Sequence, residues 1–214
     1  MNLRHILLRY FLPMVACFFI LSFISLVPAI QNSYYPTFEE ISLSAAESKQ
    51  PDVYFKTQKG TEEAPNHPDK ITLLFNSKAY LRALVDRAKA TGQQGVYDYK
   101  EFVLSISEYF ITPIIFFFSL LLVTPGAIGR KLLNFIIGSI LIIGFAYLTV
   151  RFRSYLAVAE SNLPGMSFDP REIKAYKLLS FAFSSVTTIT IVLLIWILLA
   201  FRKSEMQKIM NWKV

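Results

Sequence analysis

Few side chains in this sequence have the reach for chemistry. His5, His67 and Cys17 are the only imidazoles and the only thiol in its 214 residues. A metal centre or a nucleophilic site needs several such groups to converge. His5 precedes the first apolar run, His67 lies in a polar stretch with Pro65 and Pro68, and Cys17 falls within an apolar run, so the three are out of register. No glycine-rich phosphate loop, His-Glu-x-x-His or Gly-x-Ser-x-Gly string occurs. The reading is a non-enzyme with no catalytic residue, no cofactor and no metal. Two polar groupings remain. Glu108 with Arg151 and Arg153 is expected as an ion pair at a membrane boundary, or as a polar contact for a partner. Ser180, Ser184, Thr187 and Thr188 recur at helical spacing and are expected to form a helix-packing face.

The elements that would position these groups are apolar. Between Tyr109 and Gly129 there is no charged residue, and between Leu132 and Val150 there is none either. Each run approaches the ~20 residues that a helix needs to cross a bilayer. Pro125-Gly126 and Gly129 interrupt the pattern just before Arg130-Lys131, a turn that the positive-inside rule places in the cytoplasm. Tyr10 to Ile30 and Leu178 to Phe201 are two further uncharged runs. The expected organisation is a leader at 1–9, spans at 10–30, 102–129, 132–150 and 178–201, a turn at 130–131 and a tail at 202–214. Segments 31–101 and 151–177 are then extracytoplasmic. The expected fold class is an all-α transmembrane four-helix bundle with a small α+β extracytoplasmic domain between the first and second spans.

Charge supports the same placement. The inside segments hold Arg4, Arg9, Arg130, Lys131, Arg202, Lys203, Lys208 and Lys213 against Glu205, and eight minus one is the whole formal charge of +7. A pI near 9.4 is thereby explained by orientation against anionic lipid, and nucleic acid is not expected as a partner. Ten of the eleven tyrosines lie in the outer segments or at an outer helix end. A single cysteine excludes an intramolecular disulfide, and no disulfide-linked partner is expected. Met14-Val15-Ala16-Cys17 admits a lipoprotein signal, but apolar sequence continues past Cys17, so an uncleaved anchor is the reading.

Within the outer segment, Thr37-Phe38-Glu39-Glu40 matches a capping box before a helix to about Ser48. Asp52 to Thr57 alternates as a strand, and Ile71 to Phe75 reads as a second. Asn76 or Ser77 then caps a helix over Lys78 to Ala90, stopped by Gly92. On that helix Tyr80, Leu81, Leu84, Val85 and Ala88 share an apolar face. An outer unit this small has little core of its own, so it is expected to lean on the membrane, on the second outer loop or on a partner chain.

In layout the chain is similar to small exosortase-associated membrane proteins of bacteria: one span, a strand-containing outer segment, a basic-turned hairpin, a second outer loop and a last span with a basic tail. The resemblance implies a non-catalytic accessory or scaffold subunit of the inner membrane, partnered by the bilayer and another integral membrane protein in a protein-sorting system. Four spans with a long first outer loop also resemble claudins and connexins, whose paired cysteines are lacking here. The alternative is an FtsX-like permease-type subunit of an ABC transporter or envelope mechanotransmission complex, against which the short inner segments argue.

Overall fold

An uncharged run need not be an unbroken helix, and in this chain three of the four expected spans are interrupted. The computed structural model describes residues 10–60, 67, 69–92, 98–183 and 185–200. The expected leader and tail, His5 and Ser184 lie outside the described residues.

The first apolar run folds as α1, Leu12–Ser25. The Leu26 and Val27 amides then bond back to the Phe23 and Ile24 carbonyls at 3.2 and 3.1 Å. Pro28, which has no N–H to continue a helix, opens α2, Pro28–Glu47. The second expected span loses its beginning to a strand, leaving a π-helical turn, Ser107–Ile111, and α4, Thr112–Val123. Pro125 then holds Thr124 extended (ψ 129°) and ends the helix. The last run is split at Phe183 into α6, Pro170–Ala182, and α7, Ser185–Ala200. Only α5, Ile128–Glu160, is uninterrupted, and among the described helices it alone is long and apolar enough to cross a bilayer by itself.

The four-span bundle is therefore corrected. At 1.5 Å per residue, the 14 residues of α1 rise about 21 Å, short of the ~30 Å hydrocarbon core. Ser107–Val123 and Thr187–Ala200 are likewise shorter apolar helices of 10–17 residues. The pair α1 and α2 reaches the length of a span only if counted as one helix across a bend.

The chain divides into two compact units. The first comprises 10–30, 107–145 and 185–200 of the described residues. Here α4 is central, packed on α1 and α7, with Phe117, Leu121, Ile142, Val192 and Ile195 buried together. α4 and the start of α5 run antiparallel: Phe118 meets Phe135 edge-on at 4.9 Å, and the Lys131 ammonium donates to the Leu122 carbonyl at 2.7 Å. The Phe117 ring lies against Gly138, where even a methyl group would overlap it. The basic turn also reaches α7, because Arg130 donates to the Ala200 carbonyl at 3.2 Å and Asn134 to that of Leu199 at 2.9 Å. Cations suit such carbonyls, which carry the negative end of a helix dipole.

The second unit comprises 31–106 and 146–183 of the described residues. Its sheet is an antiparallel meander of β1, Val53–Lys59, β2, Lys70–Ser77, and β3, Lys100–Ser105. Register places Val53, Phe55, Leu73, Phe75, Ile71 and Leu104 on one face, and all six are buried. Tyr54, Lys56, Leu74, Glu101 and Val103 take the other face. The alternation expected for β1 is thus present, whereas residues 102–105 of β3 were expected as the start of the second span. α2 supplies a buried stripe of Tyr35, Phe38, Ser42, Ala45 and Ala46. It is tied to the sheet by Lys59, whose ammonium is 2.7 Å from Asn32 Oδ1 and 4.9 Å from the Tyr35 ring centre. The capping box at Thr37 is not used, because Thr37 and Pro36 are both inside α2. Burial of the stripe outweighs the ~3 kcal/mol that an interior proline costs a helix.

Candidate interaction surface

α3, Lys78–Thr91, follows β2 without a loop. Ser77 caps it by accepting from the Tyr80 amide at 3.5 Å, and Gly92 ends it with φ 68°, a left-handed conformation that glycine adopts without strain. Both ends fall where the residue types place them. Yet no residue of α3 is buried: Leu81, Leu84, Val85 and Ala88 are only half-buried.

Two grooves flank this helix and share Lys78 and Arg82. The larger, about 680 Å³, has Leu81 and Val85 on its helix wall, Tyr54 and Tyr99 opposite, and Asp86 and Lys89 at its margin. The Tyr54 and Tyr99 rings lie 6.4 Å apart. Tyr99 is brought there by Asn76, a buried side chain whose amide donates to the Asp98 carbonyl while its oxygen accepts from the Ser77 amide at 2.7 Å. One asparagine at the end of β2 thus organises both the start of α3 and the segment before β3. The smaller groove, about 540 Å³, runs between Pro51-Asp52 and Gly165-Met166-Ser167. The Lys78 ammonium donates to the Pro51 carbonyl at 2.6 Å, and the Lys78 amide to that of Asp52 at 2.9 Å.

A second cluster ties the residues after α2 to the end of α5 and to α6. Tyr155 and Tyr176 stack, and the Lys49 ammonium lies 5.4 and 4.7 Å from their ring centres and donates to the Tyr176 hydroxyl. The Tyr155 hydroxyl donates to Glu172 Oε2 at 2.8 Å. Burial, together with the hydrogen bond to and the charge of Glu172, pushes the Tyr155 phenol up to about 12. Tyr155 lies beyond the uncharged stretch that ends at Val150. Glu160 on α5 and Lys177 on α6 form an exposed pair at 2.7 Å. With every polar tip committed to a partner inside the cluster, this is a structural clamp.

The residues singled out in the sequence lie on several elements. Glu108 sits in the π-helical turn of the first unit, and Arg151 and Arg153 sit on α5 in the second. The hydroxyl stripe is divided, with Ser180 on α6 and Thr187 and Thr188 on α7, so it is not one face of one helix. Thr188 is buried and Thr187 half-buried. His67 is exposed and accepts from the Asp69 amide at 3.2 Å. Cys17 is a half-buried free thiol on α1. Among the described residues no three His, Cys, Asp or Glu side chains group as metal ligands. Sequence reasoning found the apolar face of α3 but missed Tyr99 and the Lys49 cluster, whose members are far apart in the chain.

No family model, curated protein or solved structure matches this chain.

Proposed function

We propose that this chain is a non-catalytic accessory subunit of a bacterial inner-membrane complex, held in the bilayer by its first unit and by α5 and engaging another membrane protein through its second unit. One observation carries the reading. Exposed large apolar side chains concentrate in the first unit, with Phe23 70%, Ile128 84% and Leu198 77% exposed, and continue along α1, α5 and α7. A protein surrounded by water rarely tolerates apolar surface on that scale, whereas acyl chains cover it without cost. The second unit has a three-stranded sheet with Lys56 and Glu101 among the residues of its outer face, and grooves of binding size. Its layout in the sequence favours a partner of the exosortase type.

The test has two parts. In a Cys17→Ala background, cysteines at Gly129 and Ser161 bracket the apolar part of α5. An impermeant thiol reagent applied to intact spheroplasts is expected to label the second and spare the first, since Arg130-Lys131 favours the cytoplasm. Equal labelling of both, or recovery of the protein in the soluble fraction, defeats the membrane part. Purification in mild detergent is expected to bring down an integral membrane protein. An ATPase in its place would favour the permease-type reading, and a chain recovered alone would defeat the subunit reading.

A further inference from the structure

We infer that the larger groove beside α3 is a docking site for an extended acidic segment of a partner protein, in which carboxylates alternate with apolar side chains. This deepens the subunit reading and rests on it. The first support is incomplete coverage. α3 spans 14 residues with an apolar face, yet none of them is buried, and Leu81 and Val85 open into the groove. On the outer sheet face Tyr54, which lines the groove, is 40% exposed. Half-covered apolar residues facing a pair of tyrosines have the composition of an interface core.

The second support is charge. Lys78, Arg82 and Lys89 against Asp86 give the groove three minus one, or +2. That surplus is local, because segments 31–108 and 151–177 together hold fourteen basic and fourteen acidic residues. Spacing supplies the third support. Lys78, whose ammonium also donates to the Pro51 carbonyl, and Arg82 are four residues apart on a helix, a rise of about 6 Å. Alternate residues of an extended chain lie about 6.6 Å apart on one side. Two carboxylates separated by one residue therefore match this basic ridge, and the intervening side chain points toward Tyr54 and Tyr99. A partner entering this way meets complementary charge at the rim and apolar surface beneath it.

The test uses the full chain in nanodiscs with p-benzoylphenylalanine replacing Leu81, or replacing Ala83, which is exposed and about half a turn away. The probe is a fluorescein-labelled peptide of alternating Glu with Leu and Trp, and the control carries Lys in place of Glu. Irradiation is expected to attach the acidic peptide at position 81 and not at 83, with no attachment of the basic peptide. Arg82→Glu, at an exposed position, is expected to lower the yield at least tenfold while leaving the circular dichroism unchanged. The inference is overturned by no adduct at 81, by equal yields for the two peptides, by indifference to Arg82→Glu, or by adducts only with lipid or a second copy of this chain. None of these outcomes bears on co-purification, so the subunit reading stands or falls separately.

Discussion

Tyr155 and Tyr176 stack with their ring centres 4.0 Å apart and their planes inclined by 30°, beneath the Lys49 ammonium. The stack joins the end of α5 to α6 and fastens both to the residue pair that follows α2. Tyr176→Ala removes ring, stack and cation–π contact together and is expected to destabilise the protein by about 3 kcal/mol. Tyr176→Phe keeps the ring and loses only the hydroxyl that accepts from Lys49, an expected loss of about 1 kcal/mol. Thermal unfolding of the detergent-solubilised protein ranks the two, and equal losses would mean that the ring contributes nothing.

Alkaline titration reports on the same clamp. The Tyr155 phenol is pushed from 10.0 to about 12 by burial and by Glu172. A proton held more tightly in the fold than in the unfolded chain adds stability that is fully present below pH 10. That stability is lost as pH rises through the folded value near 12. Stability is thus expected to decline between those limits, and Tyr155→Phe is expected to flatten part of the decline. Unchanged pH dependence in the variant, followed by tyrosinate absorbance and unfolding, would contradict the assignment.

Close packing of α4 on α5 depends on Gly138. A Cβ there would overlap the Phe117 ring, which is fully buried. Gly138→Ala is expected to cost about 1–3 kcal/mol. Gly144→Ala, six residues on with nothing within 4 Å, is expected to change stability by less than about 1 kcal/mol. Similar detergent melting for the two variants would remove this contact from the account.

Trp196 Nε1 donates to Thr124 Oγ1 at 2.9 Å, joining α7 to the residue that ends α4. The threonine hydroxyl in turn donates to the Leu120 carbonyl at 2.7 Å. In a double-mutant cycle, Trp196→Phe and Thr124→Val are expected to couple by about 0.5–1.5 kcal/mol. Strict additivity would show that the bond is without effect on stability.

Local chemistry made some of this legible in advance. β1 follows from a short alternating run and β2 from a short apolar one, and α3 follows from Ser77, its apolar face and Gly92, all set by neighbours in the chain. The antiparallel approach of α4 and α5 follows from a proline-glycine break and a basic pair. The grooves were legible only in half: the α3 face is sequential, whereas Tyr54 and Tyr99 meet it through strand pairing and the bond from Asn76.

By itself the sequence determined which stretches are apolar, where the charge lies, and which short segments turn, pair or cap, because these are properties of residue types and near neighbours. Tertiary structure decided where the first and last apolar runs break, since Pro28 and Phe183 interrupt helices without adding a charge that hydropathy would register. It also decided that Pro36 stays inside a helix, because the stripe from Tyr35 to Ala46 is buried, and that Lys100–Ser105 is a strand rather than the start of a span, because β2 offers it a free edge. Burial and strand pairing are made with residues far along the chain, and a window of neighbours contains neither.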